Sequence, residues 1–157
     1  MPYRSCLGSS FQHADFFSHG DEHMISVRGG YDLSRQSQFF AVAGLSPAGG
    51  DLEYFFHIVE AFSDGSPERT YWSGADTKHL IPEDERNKIL EITCEISQAL
   101  INHVQPKAFF RCVDDNLPPR ALEKHHAITR VFESCGYTCA FADPFLGKRI
   151  VWMTLSV

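Results

Sequence analysis

No stretch of this chain is apolar for long enough to cross a bilayer as a helix. Five cysteines are present, Cys6, Cys94, Cys112, Cys135 and Cys139, but none form a Cys-x-x-Cys pair. That removes the commonest zinc and dithiol motifs and leaves reduced thiols, packed as small apolar residues in a cytoplasmic protein. Met1 to Gln12 holds one Arg and no continuous apolar run, so it does not read as a secretory signal. Positive charge is short, with 14 Lys and Arg against 20 Asp and Glu and a net charge of -6. A nucleic-acid partner requires the opposite balance. A Gly-x-Ser-x-Gly elbow is missing, so Ser-His-Asp catalysis has no support. There is no internal repeat and no low-complexity segment.

What is there suits a globular domain. At 157 residues the chain reads as one domain spanning residues 1–157. Thirteen phenylalanines supply a large apolar area for its core. Residues 1–23 are polar and carry no assigned element. Met24 to Arg28 alternates as a short strand, and Tyr31 to Gln38 reads as a short helix or a loop. Phe39 to Leu45 and Leu52 to Phe62 are the clearest strands, joined by a loop whose Gly49 and Gly50 supply positive φ. Both faces of Leu52 to Phe62 are apolar, which predicts cover on both sides. Arg69 to Ser73 completes a meander. Pro82 opens a helix, three acids follow it, and Ile89, Ile92, Ile96 and Leu100 form its inward stripe. Pro106 marks the stop. Lys107 to Val113 is a strand, and a second helix runs from about Arg120 to Cys135 with Leu122, Ile128, Val131 and Phe132 inward. Gly136 caps it. Strands at Tyr137 to Ala142 and Ile150 to Leu155 close the chain. The fold class is α/β, with a mixed α+β sheet in which the strands flanking the second helix run parallel as near neighbours.

An antiparallel meander followed by helix, strand, helix, strand, strand resembles the GNAT fold of N-acetyltransferases over roughly Phe39 to Leu155. The motif that goes with it is an aromatic, three residues, then Gly and an aromatic, here Phe132, Glu133-Ser134-Cys135 and Gly136-Tyr137. The resemblance implies a phosphate-binding loop before the first long helix. The matching positions are Ser73, Gly74 and Ala75, in a region with one glycine and with Glu83, Asp84 and Glu85 just beyond, which repel a pyrophosphate. It also implies a catalytic Tyr in the second helix, where Phe132 stands without a hydroxyl. Two helices usual near the start of the family's sheet have room for about one short helix here, between Arg28 and Phe39.

The leading expectation is therefore a divergent GNAT-like domain without ordinary acetyl-CoA catalysis and without a cofactor. It would bind a protein partner or a small-molecule ligand, with no nucleic acid and no membrane, and its strand edges would suit a homodimer. Asp115, Asn116 and Arg120, at the end of the strand Lys107 to Val113, mark the ligand crevice. The alternative is an active N-acyltransferase with an unusual acyl-CoA binding mode, in which Asp114, His125 or Tyr137 handles protons. Metal binding through His13, His19 and His23 is a second alternative, from the i, i+4 spacing of the last two on a helix. His57 reads as a core or edge histidine. Arg111 reads as a buried cation paired with Asp114 or Glu60.

Overall fold

The structure is a computed structural model and describes residues 2–7, 14–114 and 116–156. In chain order the strands are β1 (Tyr3–Ser5), β2 (Ala14–His19), β3 (Glu22–Asp32), β4 (Ser37–Ala48), β5 (Asp51–Phe62) and β6 (Arg69–Tyr71). Then come helices α1 (Gly74–Thr77) and α2 (Glu83–Val104), strand β7 (Ala108–Asp114), helix α3 (Pro119–Ser134), and strands β8 (Tyr137–Phe141) and β9 (Lys148–Leu155). The nine strands form one mixed sheet in the order β1-β3-β4-β5-β7-β9-β8, with β2 on β3 and β6 on β5. All neighbours are antiparallel except β5 and β7.

The helix boundaries follow the signals in the sequence. Pro82 precedes the first turn of α2, and Gln105 ends the helix in the left-handed region at φ 49, its N–H bonded to the Ile101 carbonyl. Gly136 takes φ 95 just past α3, a conformation that favours glycine. Ile89, Ile92, Ile96 and Leu100 are buried as their spacing predicts. Leu122 is not. It sits in the first turns of α3 and is 43% exposed, while the fully buried side chains of α3 begin at Ile128.

Several expectations need correction. The stretch between Arg28 and Phe39 holds no helix. β3 continues through a bulge near Gly29 to Asp32, and a tight turn leads straight into β4. β8 runs in the same direction as β7, but β9 lies between them. The segment with His19 and His23 is the β2–β3 hairpin rather than a helix. Strand register replaces the i, i+4 geometry, and His23 bonds the Ser18 hydroxyl at 2.9 Å. His13 lies outside the described residues, and no group of metal-ligating side chains forms among the described ones.

Both long helices pack on one face. Tyr54, Phe56 and Phe109 point there, where Tyr54 bonds Ser97 of α2 and both Tyr54 and Phe109 meet the Phe132 ring edge-on. The core is this layer, built from Ile25, Phe39, Leu45, Ile96, Leu100, Phe109 and Phe132. Each such side chain contributes about 1.5–3 kcal/mol by leaving water. The opposite face carries Phe40, Phe55, Phe110 and Trp152, half-buried, and no helix among the described residues covers it. The expectation of cover on both sides fails there.

Candidate functional site

β4 engages β5 along the whole of both strands, and β7 is laddered to β9 from Ala108 to Asp114. Between β5 and β7 the ladder has one register pair, Glu53 with Phe110. Beyond that point the two parallel strands separate. β6 joins β5 only from Ile58 onward, so the edge of β5 from Tyr54 to His57 carries neither neighbour. The sheet is forked, and the fork opens at the carboxyl end of β7, where ligands bind in open α/β sheets.

A small cleft, open to solvent, lies beside this fork. Phe56 and Ile58 of β5 form one wall. Ile89, Leu90 and Thr93 of α2 form another, and Tyr71, Trp72 and Ser73 close the β6 end. Two cations, Arg86 of α2 and Lys124 of α3, stand on its lining. Burial first, then the charges of Arg86 and Arg120, push the Lys124 ammonium pKa down. That reflects crowding of positive charge where α2 and α3 begin. Glu83 pairs with Arg120 at 2.9 Å and Glu85 with Lys88 at 3.1 Å. The Glu83–Arg120 pair is exposed and Glu85 is partly buried; pairs near a surface are worth little in stability, but these place a cation beside two of the three acids. The helix entrance is therefore less repulsive to an anion than its sequence alone suggests.

One side chain behind the cleft lies a buried cation. Arg111 of β7 is 3% exposed, on the helix-covered face of the sheet. Neither acid expected to pair with it does so. Glu60 is held by Arg35, and Asp114 is paired with Lys148 at the surface. Among the described residues Arg111 bonds only His125 of α3, through Nη2 and the ring Nδ1, and its Nη1 has no partner. An arginine keeps its proton, so the ring nitrogen must be the acceptor. Burial first, then Arg111, drives the His125 pKa down to about 4, which keeps the imidazole neutral near pH 7. The His125 ring stands 6.1 Å from that of Phe56 on the cleft wall.

Glu60 shows the contrasting case of a buried charge fully paired. It is 0% exposed and accepts bonds from Arg35 Nε at 2.8 Å, Arg35 Nη2 at 3.0 Å, Ser37 at 2.6 Å and Tyr71 at 2.7 Å. Burial alone would raise its pKa, yet the bonds from Arg35, Ser37 and Tyr71 outweigh that and lower it. This network ties the β3–β4 turn to β6 and fixes the Tyr71 end of the cleft.

The residues expected at a site fall into separate places. Ser73 lines the cleft, while Gly74 and Ala75 form the short helix α1 instead of an extended loop, with Ala75 facing solvent. Asn116 and Arg120 are exposed at the end of β7, and Asp115 lies outside the described residues. Asp114 and His125 are on the same side of the fork. Tyr137 is not. β9 pairs Lys148 with Asp114 and Leu155 with Tyr137, so most of a strand, roughly 23 Å at the usual rise, separates them. Tyr137 also donates to the Pro106 carbonyl at 2.5 Å, and burial raises its pKa. Tyr137 therefore stands apart from Asp114 and His125.

His57 lies on the helix-free face, stacked on Phe55 at 5.3 Å and beside Trp72 at 4.5 Å, and burial lowers its pKa. The sequence reading missed Trp72, Thr93 and Lys124 as cleft residues. The position of Lys124 on the inward side of α3, near the strand end, was the available signal. Comparison with protein-family models, with curated proteins and with solved structures finds no match to this chain.

Proposed function

We propose that this chain is a ligand-binding domain of GNAT-like architecture, without ordinary acetyl-CoA catalysis, that holds a small ligand with an apolar body in the cleft beside the fork. The architecture is supported by the strand order and by the two parallel neighbours joined by a helix and splayed after one ladder pair. The observation that carries the binding reading is the cleft itself, with apolar walls of Phe56, Ile58, Ile89 and Leu90 and cations at Arg86 and Lys124. Such a lining is the usual character of a small-molecule site. Against catalysis stand Phe132, which is buried and without a hydroxyl, and the remote Tyr137. The test is calorimetric titration of the full chain with butyrate, hexanoate, octanoate and their primary amides. Saturable binding that Ile58→Trp abolishes, with far-ultraviolet dichroism unchanged, is expected. No heat from any member overturns the reading.

One observation favours a second reading. The open gap between β5 and β7 suits an acyltransferase that seats its donor between splayed strands. Tight, saturable binding of acetyl-CoA, with thiol release in the presence of a panel of amines, would put this reading in place of the first.

A further inference from the structure

We infer that Arg111 is the receptor for the carboxylate of the ligand, which enters the fork between Phe56 and Lys124 and acts as the anionic partner that no described residue supplies. This rests on the cleft being a ligand site. A guanidinium taken out of water without an anion is among the costliest groups a fold can bury. Here every acid expected to offset it is engaged elsewhere, Glu60 by Arg35 and Asp114 by Lys148. Among the described residues, the remaining groups that act on it are the Tyr54 hydroxyl, the Cys139 thiol and the His125 ring. None of these is a carboxylate. His125 occupies one guanidinium nitrogen through its lone pair, so it fixes the plane of the group and leaves Nη1 with a free donor.

The position matters as much as the charge. Arg111 is the first residue of β7 beyond the Glu53–Phe110 pair, where β5 stops supplying a ladder partner. Arg111 does not itself line the cleft; the link is His125, which bonds Arg111 and whose ring stands 6.1 Å from that of Phe56 on the cleft wall. The class of anion follows from charge balance and shape. At Arg111 itself one buried cation is neutralised by one negative charge, so a monoanion fits. The planar guanidinium also matches a planar carboxylate through parallel N–H bonds. Lys124 at the cleft wall guides the same charge inward.

The experiment compares each carboxylate with its own amide, which shares the apolar body and lacks the charge. In the unaltered full-length chain hexanoate should bind at least about tenfold more tightly than hexanamide, the ratio expected of a charge-assisted hydrogen bond. Arg111→Met should erase that ratio while retaining hexanamide binding, and Arg111→Lys should restore part of it. Without ligand, Arg111→Met should melt at a higher temperature than the parent, because a desolvated charge has been replaced by an apolar chain of similar length. Equal affinity for hexanoate and hexanamide in the unaltered chain overturns the inference and leaves the cleft reading standing. So does a preference that survives Arg111→Met. Inorganic phosphate displacing hexanoate as effectively as acetate does overturns the carboxylate assignment. Loss of binding by every member takes both readings down together. The comparison in the unaltered chain keeps the inference testable if the Met variant does not fold.

Discussion

At the scale of single residues, the buried charges Glu60 and Arg111 differ most in what surrounds them. Glu60 is saturated with donors, and among the described residues Arg111 has one hydrogen-bond partner, the neutral His125 ring. Removing the Glu60 charge strands Arg35 and two hydroxyls, so Glu60→Gln should cost about 2–3 kcal/mol in urea unfolding at pH 7. Because the folded state lowers the Glu60 pKa, its contribution is complete above the ordinary carboxyl range. It drains away as pH falls from about 4.5 through the lower folded value. Urea midpoints measured from pH 7 to pH 3 should fall in the parent, and the Glu60→Gln chain should show a shallower decline. A parallel decline in both would assign the acid sensitivity elsewhere. The alternation of Arg111 with Phe110 and Cys112 was enough to place it inside. Its partner was not legible, because Glu60 and Asp114 are drawn to Arg35 and Lys148, one set by a distant turn and the other by a hairpin register.

Elements show where local sequence suffices. The limits of α2 and the cap at Gly136 were readable because prolines and a left-handed glycine act within a turn or two of themselves. The length of β3 and β4 was not. Polar residues from Tyr31 to Gln38 resemble a loop, yet pairing with neighbouring strands carries Tyr31, Asp32, Ser37 and Gln38 into the sheet and leaves only residues 33–36 as a turn. Cross-strand fit also decides details that no single strand contains. Gly44 faces Phe55 across β4 and β5, and a Cβ at Gly44 would lie 2.3 Å from the Phe55 ring. Gly44→Ala should therefore destabilise the chain by about 1–3 kcal/mol, as overpacking does. Combining it with Phe55→Ala should cost less than the sum of the two single changes. Additive costs in such a double-mutant cycle would show that the ring does not rest on the glycine.

For the whole molecule the decisive fact is asymmetry, with two long helices on one side of the sheet and aromatic side chains on the other. Apolar alternation on both faces of β5 suggested equal cover, since a half-buried aromatic and a core aromatic look alike in a sequence. On the bare side Phe17 is 52% exposed and Ile150 36%. Their replacement by Ser and Thr should change stability by no more than about 0.5 kcal/mol each. It should also raise the concentration at which the chain begins to scatter light, as removal of exposed apolar area does. A shift in urea midpoint equivalent to more than that would mean that this side is packed in solution.

The lone Glu53–Phe110 rung makes the sheet two panels, one running from β1 to β6 and the other from β7 to β9, stitched at a single point and braced by the helices behind. Pulled apart, such a body would tear along this seam while each panel kept its own lattice of amide bonds. A molecule that filled the seam would act as a second stitch.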